Sequence, residues 1–151
     1  MTGKNIRMFI GEYSHSIDAK KRLALPSKFR SELGGKVVVT RGLDECLFIY
    51  PMKVWEGLAE KLGSLPVGEA GTRSFIRLML SGATDVDTDS QGRVLLPEYL
   101  KDYAGLDKEV TVAGVFNRLE VWDTKKWSAY KSDAEKNSGE IAERLGKLGV
   151  Y

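Results

Sequence analysis

Apolar residues in this chain fall mostly in short alternating runs. Met8-Phe9-Ile10-Gly11-Glu12-Tyr13 reads as an opening strand, and Arg22-Leu23-Ala24-Leu25 as a second. Strand alternation turns Leu23 and Leu25 to the core and Arg22 and Ala24 outward. Val37-Val38-Val39-Thr40 is the β-branched run of a buried strand, and Leu47-Phe48-Ile49-Tyr50 is a fourth strand that Pro51 stops. Residues 27–33 have helical spacing behind Pro26, a residue suited to a first helical turn because no N–H is needed there. The period then changes. Val54, Trp55, Leu58 and Leu62 fall at helical intervals, as do Phe75, Ile76 and Met79, with residues 63–68 (Gly-Ser-Leu-Pro-Val-Gly) as the break. These apolar stripes could bury against the strands or against another subunit. After residue 81 the strand pattern returns, and Ile141, Leu145 and Leu148 mark a C-terminal helix that Gly139 and Gly146 weaken.

The return is a repeat. Asp18-Ala19-Lys20-Lys21-Arg22-Leu23-Ala24-Leu25-Pro26 is answered by Asp89-Ser90-Gln91-Gly92-Arg93-Val94-Leu95-Leu96-Pro97, both of the form Asp-x-x-x-Arg, apolar pair, Leu-Pro. Downstream, residues 36–40 answer 109–113, residues 47–50 answer 119–122, and Trp55 answers Trp127. Each copy reads strand, turn, strand, short helix, strand, turn, strand. A unit of roughly 45 residues rarely folds alone. The expected organisation is a first unit at 8–55, a helical connector at 56–80, a second unit at 81–127 and a helical tail at 128–151. The expected class is α+β, mostly β with short peripheral helices. Asp opens each turn because its carboxylate accepts hydrogen bonds from the following amides. A turn of this length needs one residue at positive φ, which Gly92 supplies in copy two; Lys21 stands there in copy one, so that turn is expected to be strained or differently built.

Composition narrows the function. A hydrophobic content of 42% supports a core. No apolar run reaches the roughly 18 residues of a membrane span, no leader-like segment opens the chain, and the one cysteine, Cys46, has no disulfide partner, which together point to the cytoplasm. Cys46 beside Leu47 reads as a small buried hydrophobe. Asp85, Asp87 and Asp89 share one strand face but lack the Gly and distal Glu of a calcium loop, so they read as a solvated acidic face or as partners for basic residues. An Asp beside an Arg is a poor general acid, and nothing supplies a nucleophile with a base. No enzyme, cofactor, metal or small-molecule substrate is expected. Residues 8–55 carry eight Lys/Arg against five Asp/Glu, and residues 81–127 carry six against nine. A polyanion therefore meets the first copy more readily. Lys20, Lys21, Arg22, Lys28 and Arg30 follow Asp18 as a cationic run: either a solvated face or a DNA contact, since a two-stranded ribbon fits the major groove and Arg reads guanine with two hydrogen bonds. Residues 1–7, with Lys4 and Arg7, are an arm, a tail or the sequel to an alternative start.

With both motifs in view, the chain resembles the MraZ family, bacterial transcription regulators of the cell-division and cell-wall cluster. The likeness rests on Met8-Phe9-Ile10-Gly11-Glu12-Tyr13, on Asp18…Arg22-Leu23-Ala24-Leu25-Pro26 with Phe29-Arg30, on Leu47-Phe48-Ile49-Tyr50-Pro51, and on residues 89–97, 104–110 and 114–123. The resemblance implies tandem SpoVT/AbrB-type swapped-hairpin β-barrel units, a homo-oligomeric ring associated with the nucleoid, and repression through repeated promoter elements in double-stranded DNA. It makes Arg22 the first DNA contact, supported by Lys20, Lys21, Lys28 and Arg30. Asp18, Asp89, Gly92 and Arg93 are expected to hold structure, Arg93 in the acidic half also as a subunit contact. The family commonly has Gly where this chain has Lys21. Head-to-tail contacts between duplicated units close into rings or run to filaments, and a ring multiplies a weak patch when sites match its spacing. The alternative function is an oligomeric protein-binding scaffold.

Overall fold

The structure, a computed structural model, describes residues 8–150; the expectations for residues 1–7 lie outside the described residues. Strands β1 (Phe9–Ser16) and β2 (Arg22–Ala24) lead through a 3-10 turn (Ser27–Phe29) into α1 (Arg30–Leu33), then β3 (Lys36–Arg41) and β4 (Leu47–Pro51). Helices α2 (Met52–Gly63) and α3 (Ala70–Gly82) follow. The second copy repeats the order: β5 (Thr84–Asp87), β6 (Arg93–Leu95), α4 (Glu98–Ala104), β7 (Glu109–Phe116), β8 (Arg118–Asp123), α5 (Thr124–Lys136) and α6 (Ser138–Lys147).

The copies do not fold side by side. One sheet runs β1-β7-β8-β4-β3-β5, so the first strand of each copy pairs with the third strand of the other. Ser16 lies opposite Glu109, and its counterpart Asp87 lies opposite Lys36, the counterpart of Glu109: the two crossed pairings share one register. The second strands, β2 and β6, pair with each other as a separate two-stranded ribbon, with Leu23 opposite Val94 at the centre. In the large sheet β4 and β8 are centred on Phe48 opposite Glu120. Both central pairs join equivalent positions of the repeat, so one pseudo-twofold axis passes through both. The local hairpin suggested by the turn spacing is reduced to a single bridge, Ile17 to Leu23; β1 then leaves to pair across the axis. The exchange follows from size. A lone copy would leave strand edges unpaired and its apolar face uncovered, and exchange satisfies both.

The core lies between the ribbon and the large sheet. Leu23, Leu25, Val94 and Leu96 close on Val37, Val39, Leu47, Ile49, Val110, Val112, Leu119 and Val121, with Phe29 and Leu100 from the short helices. Helix α4 ties its own copy and the other: the Tyr99 hydroxyl donates to the Gly82 carbonyl at 2.9 Å, and the Tyr103 hydroxyl crosses to the first-copy Gly42 carbonyl at 2.7 Å. On the outer face, Val54, Trp55, Leu58 and Leu62 of α2 pack with Phe48, Tyr50, Met79 and Trp122, so this connector stripe buries against the repeats. Cys46 is fully buried there, its thiol donating to the Leu43 carbonyl at 3.1 Å, and burial pushes its pKa up. Strand alternation did not signal Glu120. It is nearly buried at the axis, accepting from Arg118 at 2.7 Å and from the Trp122 indole at 3.0 Å.

Candidate nucleic-acid interface

The two turns that begin β2 and β6 are built alike. Asp18 Oδ1 accepts from the backbone amides of Lys20 and Arg22, both at 2.9 Å, and Oδ2 accepts from Arg22 Nε at 2.8 Å. Asp89 Oδ1 accepts from the amides of Gln91 and Arg93, both at 2.9 Å, and Oδ2 accepts from Arg93 Nε at 2.7 Å. The amide of the arginine, then its guanidinium, hold each carboxyl below the usual aspartate range. Lys21 adopts φ 63° and Gly92 φ 75°. The expected alternative of a different build for the first turn is therefore not taken; Lys21 enters the left-handed region that glycine occupies freely, at a strain of about 1–2 kcal/mol. Its amide still donates to the Asp18 carbonyl at 3.0 Å, as the Gly92 amide does to Asp89 at 2.9 Å.

Of each guanidinium, the aspartate engages only Nε. Among the described residues, nothing bonds the terminal Nη pair of Arg22 or Arg93. That leaves free the forked edge that matches phosphate oxygens or guanine O6 and N7. The side chains are partly exposed, and the strand pairing sets their direction. Arg22 is opposite Leu95 and Ala24 is opposite Arg93, while the inward Leu23 and Val94 are fully buried. Directly opposed residues share a face. Arg22, Ala24, Arg93 and Leu95 thus form one outward surface, with the arginine Cα atoms about 8 Å apart on the diagonal by strand geometry.

The exchange divides the cationic run. Lys20 and Arg22 stay at the first turn, and Lys21 reaches across to Glu98 at the start of α4, Nζ to Oε2 3.2 Å. Arg30 goes to the other turn. Its Nε donates to the Leu25 carbonyl at 3.2 Å, and a Cβ on Gly92 would collide with that nitrogen. Lys28, exposed, precedes it in the 3-10 turn. Arg30 therefore brings a first-copy cation to the Asp89–Arg93 turn, and counting charge copy by copy along the chain had missed this. A Gly facing an Arg of the other copy leaves no trace in single-sequence spacing. His15, in β1, has its pKa lowered by burial and by the charge of Arg30, so at neutral pH the cations here are Lys and Arg. The acidic strand face is engaged as well: Lys36 pairs with Asp85 at 3.3 Å and Asp87 at 3.7 Å, while Asp89 belongs to its turn.

A two-stranded ribbon exchanged between tandem copies, flanked by Asp-x-x-x-Arg turns and backed by crossed strand pairs, defines a duplicated swapped-hairpin protein of the SpoVT/AbrB type. Comparison with protein families matches residues 8–78 and 79–148 to MraZ protein, antitoxin-like in its description. The chain belongs to the MraZ family. It is 50% identical over 143 residues to a transcriptional regulator MraZ of Halothermothrix orenii, covering 95% of this chain and all of the relative. The proteins of the same name from Acetivibrio thermocellus and Syntrophomonas wolfei are 48% and 49% identical over the same shares. These relatives are named as regulators, not as enzymes. No helix among the described residues is long and apolar enough to cross a membrane.

Proposed function

We propose that this chain is a sequence-specific DNA-binding transcription regulator, a repressor of its own division and cell-wall operon, acting in the cytoplasm at the nucleoid. One observation carries the reading: Arg22 and Arg93 are pre-aimed on the same outward ribbon face, each held by an aspartate that leaves its forked edge free. Such a ribbon has the dimensions to enter a major groove, and an arginine already ordered loses less freedom on binding. Lys20, Lys21 and Arg22 supply cations at one end and Arg30 at the other, with the exposed Lys28 two residues before it. Arg93 is a base or phosphate contact in this reading, not only a structural residue. Several subunits in a ring would repeat the surface at fixed spacing, which suits evenly repeated promoter elements.

The test is footprinting on the DNA upstream of the chain's own gene. Protection of short, evenly spaced repeats is the expected result, and Arg22→Ala should abolish it while light scattering shows the assembly unchanged. Wild-type affinity in Arg22→Ala refutes the site. Recovery of a stoichiometric protein partner with no shift of any promoter fragment refutes the DNA reading in favour of a scaffold.

A further inference from the structure

Leu95 stands on the outward ribbon face, at the end of β6, and is 55% exposed. Its neighbours Val94 and Leu96 belong to the core, at 0% and 1%, while Leu95 lies outside it. It lies directly opposite Arg22. An exposed leucine flanked by guanidinium groups is out of place on a surface that binds only phosphates, because it offers them no hydrogen bond.

We propose that Leu95 is a specificity-determining residue that packs on thymine C5-methyl groups beside the base read by Arg22. The inference rests on the DNA-binding reading above. In the major groove thymine is distinguished by its methyl group, and cytosine by an N4 donor. A leucine set against thymine buries that methyl; set against cytosine it strips water from a donor and returns no acceptor. The residue therefore both favours thymine and disfavours cytosine. The equivalent position in the first copy is Ala24, opposite Arg93, which is only partly exposed and presents a single methyl. The two ends of the ribbon are thus unequal readers: the Arg22–Leu95 end selects a thymine next to its arginine contact, and the Arg93–Ala24 end is more permissive.

The experiment compares the promoter fragment upstream of the gene with the same fragment made with deoxyuridine in place of thymidine, which removes every C5-methyl and keeps base pairing. Wild type should bind the uracil fragment at least about fourfold more weakly, the worth of one buried methyl. Leu95→Ala should bind the thymine fragment more weakly by a similar factor and should not distinguish the two. Because the change is on the surface, the folded state is checked by its unfolding midpoint and the assembly by light scattering. Leu95→Ala that discriminates as wild type does overturns the proposal. So does a change in assembly size, which would make Leu95 a subunit contact. If wild type binds neither fragment, the DNA reading itself fails together with this one.

Discussion

Position 21 and position 92 have the same backbone and opposite surroundings. Replacing Lys21 by Gly removes about 1–2 kcal/mol of left-handed strain. It also adds unfolded-chain freedom worth about 0.5–1 kcal/mol and deletes an exposed ion pair worth about 0–1 kcal/mol. These terms offset, so Lys21→Gly should shift stability by less than about 0.5 kcal/mol in urea unfolding. Gly92→Ala removes that unfolded-chain freedom but meets the Arg30 side chain. It imposes the strain and drives Arg30 from its place over the turn, and should cost about 1–2 kcal/mol. Asp18 and Asp89 have folded-state pKa values below the ordinary value of about 3.9. Their contribution to the turns is therefore complete above that value and is lost as pH falls through the depressed ones. Carboxyl midpoints followed by NMR should both lie below about 3.9; a midpoint at or above it for either residue would contradict the turn geometry.

The ribbon and α4 are the elements on which the proposed interface depends. Leu23 is fully buried at the ribbon centre against Val94, and Leu23→Ala should cost about 2–5 kcal/mol by leaving a cavity that a crossed ribbon cannot collapse. Both copies share that contact, so the loss should appear as one lowered transition and not as melting of the first copy alone. Helix α4 acts on the interface through Glu98, which holds Lys21 3.2 Å away. A carboxylate there competes with phosphate for the lysine. Glu98→Gln should tighten binding to promoter and unrelated DNA alike, and steepen the dependence of log K on log salt by about 0.9 for each subunit engaged. In a Lys21→Gly background the same change should do nothing, and an effect that persists there would show that Glu98 acts elsewhere.

For the whole molecule, the crossed register makes the repeat one cooperative body. β1 finds its ladder on β7, and β5 on β3, so neither copy holds a complete sheet. A fragment of residues 8–80 should be unfolded at micromolar concentration or should self-associate by repeating the exchange between two chains; a stable folded monomer, seen by sedimentation, would contradict the pairing. The helical pairs belong to the same plan, because α2 follows β4 and α5 follows β8 without a break, and the family matches at 8–78 and 79–148 run through them.

Much of this was legible in the chain alone. The alternation around Leu23 and Leu25, the β-branched run at Val37–Val39, the helical intervals in the connector and the doubled Asp-x-x-x-Arg motif are local patterns. Local backbone period and turn chemistry fix local structure, and here they fixed the elements and marked Arg22. What lay beyond reach depends on which residues meet across the axis: Arg30 over Gly92, Lys21 on Glu98, Leu95 opposite Arg22, Glu120 buried opposite Phe48. None of these pairs is close in sequence. Their meeting is imposed by the exchange of strands, an outcome of burying two small apolar faces at once. The chain therefore determined its elements and its turn arginines, and the tertiary pairing decided which charges and which apolar side chain stand beside them.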